Sequence, residues 1–325
     1  MKKLYLATFI KGLERPVEAM LRHEGGVSVD RILPGLAVFR SVKEVDLPFL
    51  QRSFLLLCQM KPEKDVSSAV RKMSESDAWL DRFPFEETEG KRFRIVTAED
   101  GQPCAANMRF VSRIEKSICE QTGMIVNRER PEVELWINSR AEAVYFLWRL
   151  TKRDRKTDDP LRKDLCEILS FMTSPVGKNA ALLGVTGRNL PEAFRSQGIK
   201  GLALAYSKPE YALKPPAGGG KNAGGTASHT DLADTSQEIV SLCIPPKGNQ
   251  AVAQTEIRST LREASRILAA DGKLLLLYPQ RLQNDFEKIR AMDYLTEYHI
   301  TISGEPCRVV LLRKPENLVD AEDGN

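Results

Sequence analysis

Between Asn179 and Pro279 the chain keeps returning to one pattern. "NAALLGVTG" is an apolar run closed by glycine, "LPEAFRSQGI" spaces its apolar residues as a helix does, and "KGLALAYS" is a second apolar run. The pattern resumes with "IVSLCIPP", then the helical segment "QTEIRSTLREASRILAADG", then "KLLLLYP". Short apolar runs alternating with amphipathic helices dictate βαβ units, and successive units build a parallel sheet covered by helices. After a further helical segment, "QRLQNDFEKIRAM", the strands "YLTEYHITI" and "CRVVLLRK" give that sheet an antiparallel finish.

The first half reads differently. "KLYLATF" is a strand, "ERPVEAMLRHEG" a short helix closed by Gly25-Gly26, and "GVSVDRILPGLAVFRS" two strands around a Pro34-Gly35 turn. "DLPFLQRSFLLLCQM" spaces its apolar residues as a helix, and "KDVSSAVRKMSESDAWL" follows as another. "KRFRIVTA" is a strand, and "NMRFVSRIEKSICEQTG" a helix with Asn107 as N-cap and Gly123 as its stop. "EVELWINSRAEAVYFLWRL" supplies two strands joined by a turn. This is an α+β module. The charged connector "TKRDRKTDDP" ends it at Asp159-Pro160, "LRKDLCEILSFM" is the next helix, and "KPPAGGGKNAGGTASHTD" is a flexible loop by composition.

A chain of 325 residues has room for two or three domains. No apolar run reaches the length of a membrane span. The start, "MKKLYLATFIKGLERP", has a short apolar stretch that ends at Lys11 without a small-residue cleavage site, so it reads as a strand rather than a signal peptide. Six cysteines are scattered with no C-x-x-C pair, which argues against a zinc site or a disulfide framework and for a reducing, cytoplasmic setting. The three histidines lie far apart and near no nucleophile motif, so neither a hydrolase triad nor a metal site is expected.

Charge is uneven. The net charge is +4, yet residues 91–163 alone carry 16 Lys/Arg against 11 Asp/Glu, leaving about −1 for the rest. Basic residues fall on the strand at Lys91, Arg92 and Arg94, on the helix at Arg109, Arg113 and Lys116, and on the connector at Lys152, Arg153 and Arg155. Arg109, Arg113 and Lys116 are four and three apart and share one helical face. Such a face can neutralise phosphates and release counterions. Interleaved acids also allow the plainer reading of a solvated surface. Trp136, Tyr145, Phe146 and Trp148 sit near this patch, where strand spacing favours core over base stacking.

In order along the chain, these segments resemble the THUMP-domain family of RNA methyltransferases, over nearly the whole length. "YLATFIKGLERPVEAMLRHEGGVSVDRILPGLAVF" is similar to that family's N-terminal ferredoxin-like segment. "LQRSFLLLCQM", "DAWL" and "RFRIVTAEDGQPCAANMRFVSRIEKSICEQTG" resemble the THUMP core, and "ASRILAADGKLLLLYP" resembles the fifth strand of a class I S-adenosylmethionine methyltransferase with the helix before it. The resemblance implies an α/β chain. It would hold a ferredoxin-like segment and helical connection over 1–85, a THUMP-like RNA-binding core over 86–157, a Rossmann-like methyltransferase domain over 158–314 and an acidic tail over 315–325. It further implies structured RNA (tRNA or rRNA) as partner, no membrane, S-adenosyl-L-methionine as cofactor if the domain is active, and room for a protein partner. Arg92, Arg94, Arg109, Arg113, Lys152, Arg153 and Arg155 become the expected RNA contacts.

Two departures from the family pattern stand out. The family's first methyltransferase strand ends in an Asp-Pro, Cys-Gly, Ser-Gly pattern that is missing here. Pro175 and Gly177 in "SPVGKNAALLG" are one candidate remnant of it; Gly184 and Gly187 in "LLGVTGRN" are either the cofactor turn itself or, the commoner use of a lone glycine pair, a plain strand-to-helix turn. If this is the first strand it lacks the preceding acid; if the second, Thr186 or Asn189 replaces the ribose-binding acid. In "IVSLCIPPKGNQ", the family places Asn or Asp ahead of two prolines to accept from the target amino group, and an aromatic after them to stack on the flipped base. Ile244 and Lys247 stand there, around Pro245 and Pro246. Cys243 would point to the opposite face from Ile244. The turn survives without its chemistry. The reading is therefore an RNA-binding protein with an impaired methyltransferase domain, the alternative being an active guanine-N2-type RNA methyltransferase.

Overall fold

A computed structural model describes residues 2–151, 159–184, 187–205, 221–222, 226–244, 246, 254–283 and 292–316. The chain begins with β1 (Lys3–Thr8), α1 (Glu14–His23), β2 (Val27–Leu33), β3 (Leu36–Ser41), β4 (Arg52–Met60) and α2 (Val66–Met73). It continues through β5 (Arg92–Glu99), β6 (Gln102–Pro103), α3 (Met108–Thr122), β7 (Ile125–Val126), β8 (Val133–Ser139) and β9 (Val144–Arg149). Then follow α4 (Lys163–Thr173), β10 (Asn179–Leu183), α5 (Asn189–Ser196), β11 (Gly201–Ala205), β12 (Lys221–Asn222) and β13 (Gln237–Cys243). Last come α6 (Gln254–Ile267), β14 (Leu268–Pro279), β15 (Asp293–Ile302) and β16 (Glu305–Arg313).

The chain divides into two compact units, the first made of residues 1–8, 24–32 and 36–153, the second of 9–23, 33–35 and 154–325. In the first, one sheet runs β2-β3-β1-β4-β9-β8-β5-β6, with β7 beside β5. Strand β4 lies between β1 and β9 in antiparallel register. That overturns the helix expected over "DLPFLQRSFLLLCQM". Ser53 through Cys58 are all buried, so a central strand covered on both faces reads as an unbroken apolar run, and spacing alone does not separate it from a helix. Helices α2 and α3 pack on β5. Asn107 accepts from Arg109 N at 3.0 Å and Gly123 ends α3 in the left-handed region, as expected. Tyr145, Phe146, Trp136 and Trp148 are core residues; Trp79 packs edge-on against Phe83 and Phe146, and Phe83 against Trp148.

In the second unit the sheet order is β12-β11-β10-β13-β14-β16-β15. Pairing is parallel from β12 to β14 and antiparallel through β16 and β15. This is a Rossmann-like methyltransferase-type sheet with the antiparallel finish read from the sequence. Lys221–Asn222, expected inside a loop, pairs with β11 instead. Strand β14 begins at Leu268, ahead of the Ala-Ala-Asp-Gly stretch assigned to the preceding helix. Ile257, Leu261 and Ala264 of α6 pack on Val240, Leu242, Leu274 and Leu276. Although early in the chain, α1 belongs here, packed on α4 with the His23 and Phe171 rings 6.3 Å apart. Outward from β10 the chain builds β11 and β12 on one side, then returns to place β13 on the other. The crevice at the carboxyl ends of β10 and β13 is therefore the switch point where open α/β sheets bind ligands.

Candidate functional site

At that switch point lies a small pocket lined by Asp159, Leu161, Leu183, Gly184, Gly187, Leu190 and Cys243. The topology places Gly184 and Gly187 after the first strand of the parallel sheet, which settles the alternative between first and second strand. Gly184 has a φ of 67°, the left-handed region that side chains disfavour. At Gly187 the constraint is space, because a Cβ there would overlap the Asp159 carboxylate.

Asp159 is the residue that sequence reasoning passed over, treating it only as half of an Asp-Pro boundary. Its Oδ1 accepts from Leu161 N at 3.0 Å, and its Oδ2 from Arg188 N at 2.5 Å and Asn189 N at 2.9 Å. The Asn189 side-chain amide donates to Leu161 O at 2.7 Å, tying the same two segments together. Thus α5, whose own N-cap Arg188 offers no side-chain acceptor, is capped from upstream by Asp159. Hydrogen bonds to a carboxylate contribute about 1.5–3 kcal/mol each, and the helix dipole adds to them. The carboxylate at the start of α5 therefore comes from the connector, 25 residues before Gly184.

Across the pocket, β13 ends at the prolyl corner. Cys243 faces the pocket, while Ile244 is turned to the other side and packs against the apolar cluster under α6. The backbone N–H of Ile244 donates to Leu277 O at 2.7 Å. Pro246 is buried in a turn; Pro245 and Lys247 lie outside the described residues. The Ile244 side chain has no lone pair and is half-buried against the core. Burial pushes the Cys243 thiol up to about 11 against the opposing hydrogen bond with Ser241, which disfavours the nucleophilic thiolate. Burial likewise holds the Cys166 thiol well above its usual value, with the neighbouring Cys243 and Asp159 acting in the same direction. Among the described residues no His/Cys/Asp/Glu group could hold a metal ion.

An adenosyl cofactor needs free backbone at the glycine turn and an open approach for its amino-acid end. These residues do not fit it. The N–H groups at the start of α5 already donate to Asp159, and the carboxylate lies where Gly187 leaves space.

The expected RNA contacts separate into different settings. Arg92 pairs with Glu132 at 3.0 Å, while Arg94 and Arg149 close on Glu134 from two sides. Burial works to raise the Glu134 carboxyl, but hydrogen bonds from Arg149 and Arg94 outweigh it and hold the group below its usual range. Arg52 lies 4.7 Å from the centre of the Trp136 ring beside this cluster. These strand arginines thus hold the sheet together, with their charge largely cancelled. On α3, Arg109, Arg113 and Lys116 are exposed, and Arg113 lies over the Phe110 ring at 5.7 Å. Lys152, Arg153 and Arg155 lie outside the described residues. No described helix is long and apolar enough to cross a membrane.

No family model and no curated protein matches the chain. Solved structures do. TrmN from Thermus thermophilus superposes with a TM-score of 0.74 at 17% identity, covering 96% of this chain and 99% of that one. A possible methylase from Clostridium difficile 630 gives 0.66 at 11% identity, with 97% and 98% covered. SMU.472, a candidate methyltransferase complexed with SAH, gives 0.64 at 10%, with 98% and 99% covered. The likeness runs from end to end in each case, so the chain carries an N-terminal α+β module followed by a methyltransferase-type domain as one shared fold.

Proposed function

We propose that this protein binds structured RNA through its THUMP-like N-terminal half and carries a methyltransferase domain impaired in methyl transfer. The observation that carries the reading is the orientation of Ile244. Its half-buried side chain packs against the core at the place where the family sets an amide or carboxylate on the target amine, so Ile244 offers no side-chain acceptor to orient an exocyclic amino group. Asp159 in the glycine turn supports the same conclusion from the cofactor side. The exposed Arg109, Arg113 and Lys116 face supports RNA binding, with tRNA or rRNA as the structured partners to which the resemblance points. Such binding is salt-dependent and largely indifferent to sequence.

The test is a pair of measurements on the purified chain. Filter binding of total tRNA and of rRNA fragments at low and high salt is expected to show retention that falls steeply as salt rises. Incubation of the same RNAs with methyl-labelled S-adenosylmethionine is expected to leave them unlabelled. Label entering RNA would establish the second reading, an active methyltransferase of guanine-N2 type, which the end-to-end fold likeness to methyltransferase structures favours. Salt-insensitive or absent retention would remove the RNA role.

A further inference from the structure

The glycine turn is closed by a group that mimics a ligand. We infer that Asp159 is an intramolecular plug: the connector's own carboxylate takes the position and the hydrogen bonds that an adenosyl cofactor's polar end would take at the start of α5. This rests on the proposed loss of methyl transfer and gives it a physical cause.

Three observations converge. The pocket lies at the topological switch point of the sheet, where the fold directs ligands. Asp159 reaches across to α5 from 29 residues upstream and accepts from both Arg188 N and Asn189 N, so these two donors at that helix end point at the protein itself. The three atoms nearest the missing Cβ of Gly187 all belong to the Asp159 carboxylate, so its smallness here accommodates the plug. An ordinary cap comes from the residue at the helix start; this one comes from another segment and lines the crevice too. The ligand class excluded is a nucleoside bearing a charged amino-acid arm.

Isothermal titration of the full chain with S-adenosylhomocysteine tests this. Asp159→Ala is expected to bind at least tenfold more tightly than wild type. Equal or weaker binding by a folded Asp159→Ala overturns the plug, and weaker binding assigns Asp159 to the ligand instead. A second measurement does not depend on any ligand. Gly187→Ala is expected to lower the thermal midpoint strongly in the wild-type background and by less than half as much beside Asp159→Ala or, should that variant not fold, beside Asp159→Ser. Equal losses in both backgrounds overturn the contact. RNA labelling by wild type defeats the functional reading, whereas these two results judge the plug alone.

Discussion

Glu263 on α6 offers a quantitative test of the second unit. Its side chain is only 4% exposed, yet it carries a carboxylate. Thr230 donates to Oε1 from its backbone at 2.8 Å and from its hydroxyl at 2.5 Å, and Arg266 donates at 2.6 and 2.9 Å. The Arg266 hydrogen bonds, against the opposing effect of burial and with Thr230 assisting, bring the carboxyl from 4.5 to about 2. At about 1.4 kcal/mol per tenfold change, that difference corresponds to roughly 3 kcal/mol of folding stability. Arg266 is 33% exposed, so solvent screening reduces the figure to about 2 kcal/mol.

The sign follows from the depressed value. The contribution is present in full above pH 4.5 and is lost as pH falls through about 2. Glu263→Gln keeps the shape and one acceptor while removing the charge. It should cost about 2 kcal/mol at pH 7 and less than half of that at pH 3. Urea denaturation followed by far-UV circular dichroism reads the loss. The three tryptophans, Trp79, Trp136 and Trp148, all belong to the first unit, so their fluorescence reports that unit alone. A Glu263→Gln penalty of equal size at pH 7 and pH 3, or none at pH 7, refutes the reasoning.

Three other outcomes are expected. Glu134→Gln should destabilise the first unit by about 1–3 kcal/mol, because Arg94 and Arg149 lose their shared carboxylate; tryptophan fluorescence will register it directly, since Trp136 Nε1 donates to Glu134 at 3.3 Å. Asn107→Ala removes the acceptor at the start of α3 and should cost about 1 kcal/mol in the same fluorescence transition. Arg109→Glu with Arg113→Glu should weaken RNA retention across all sequences and lower the salt slope by about 2, whereas Arg92→Gln, already paired with Glu132, should change it little.

Local pattern carried much of the fold. The βαβ alternation after Asn179, the caps of α3 and the paired strands β8 and β9 all follow from spacing and end signals within a dozen residues. Strand β4 reads as a helix from spacing alone because its sequence satisfies two periods at once. What decides between them is tertiary: its partner β9 is almost a hundred residues away. Charge misled in a related manner. Arg92, Arg94 and Arg109 look equivalent in a count, but Glu132 and Glu134 come to the first two only when β5 and β8 pair in parallel.

The site shows the same division more sharply. That Ile244 faces away from Cys243 follows from strand alternation, and the pocket bears it out. The sequence leaves Gly184 and Gly187 between a cofactor turn and a plain strand-to-helix turn, because what a glycine makes room for is a property of its neighbours in space. Asp159 lies 28 residues before Gly187, and nothing between them marks the pair. A lone Asp-Pro signals a turn, and it does make one through Leu161 N. Only the meeting of that turn with the start of α5 turns a boundary residue into the cap that lines the crevice. Motif loss around the first strand therefore does not measure how much of a site is gone, since distant residues can fill what the motif left. Here that group is a carboxylate with its acceptors already engaged, and helix-start donors satisfied by their own chain have little left to offer a ligand.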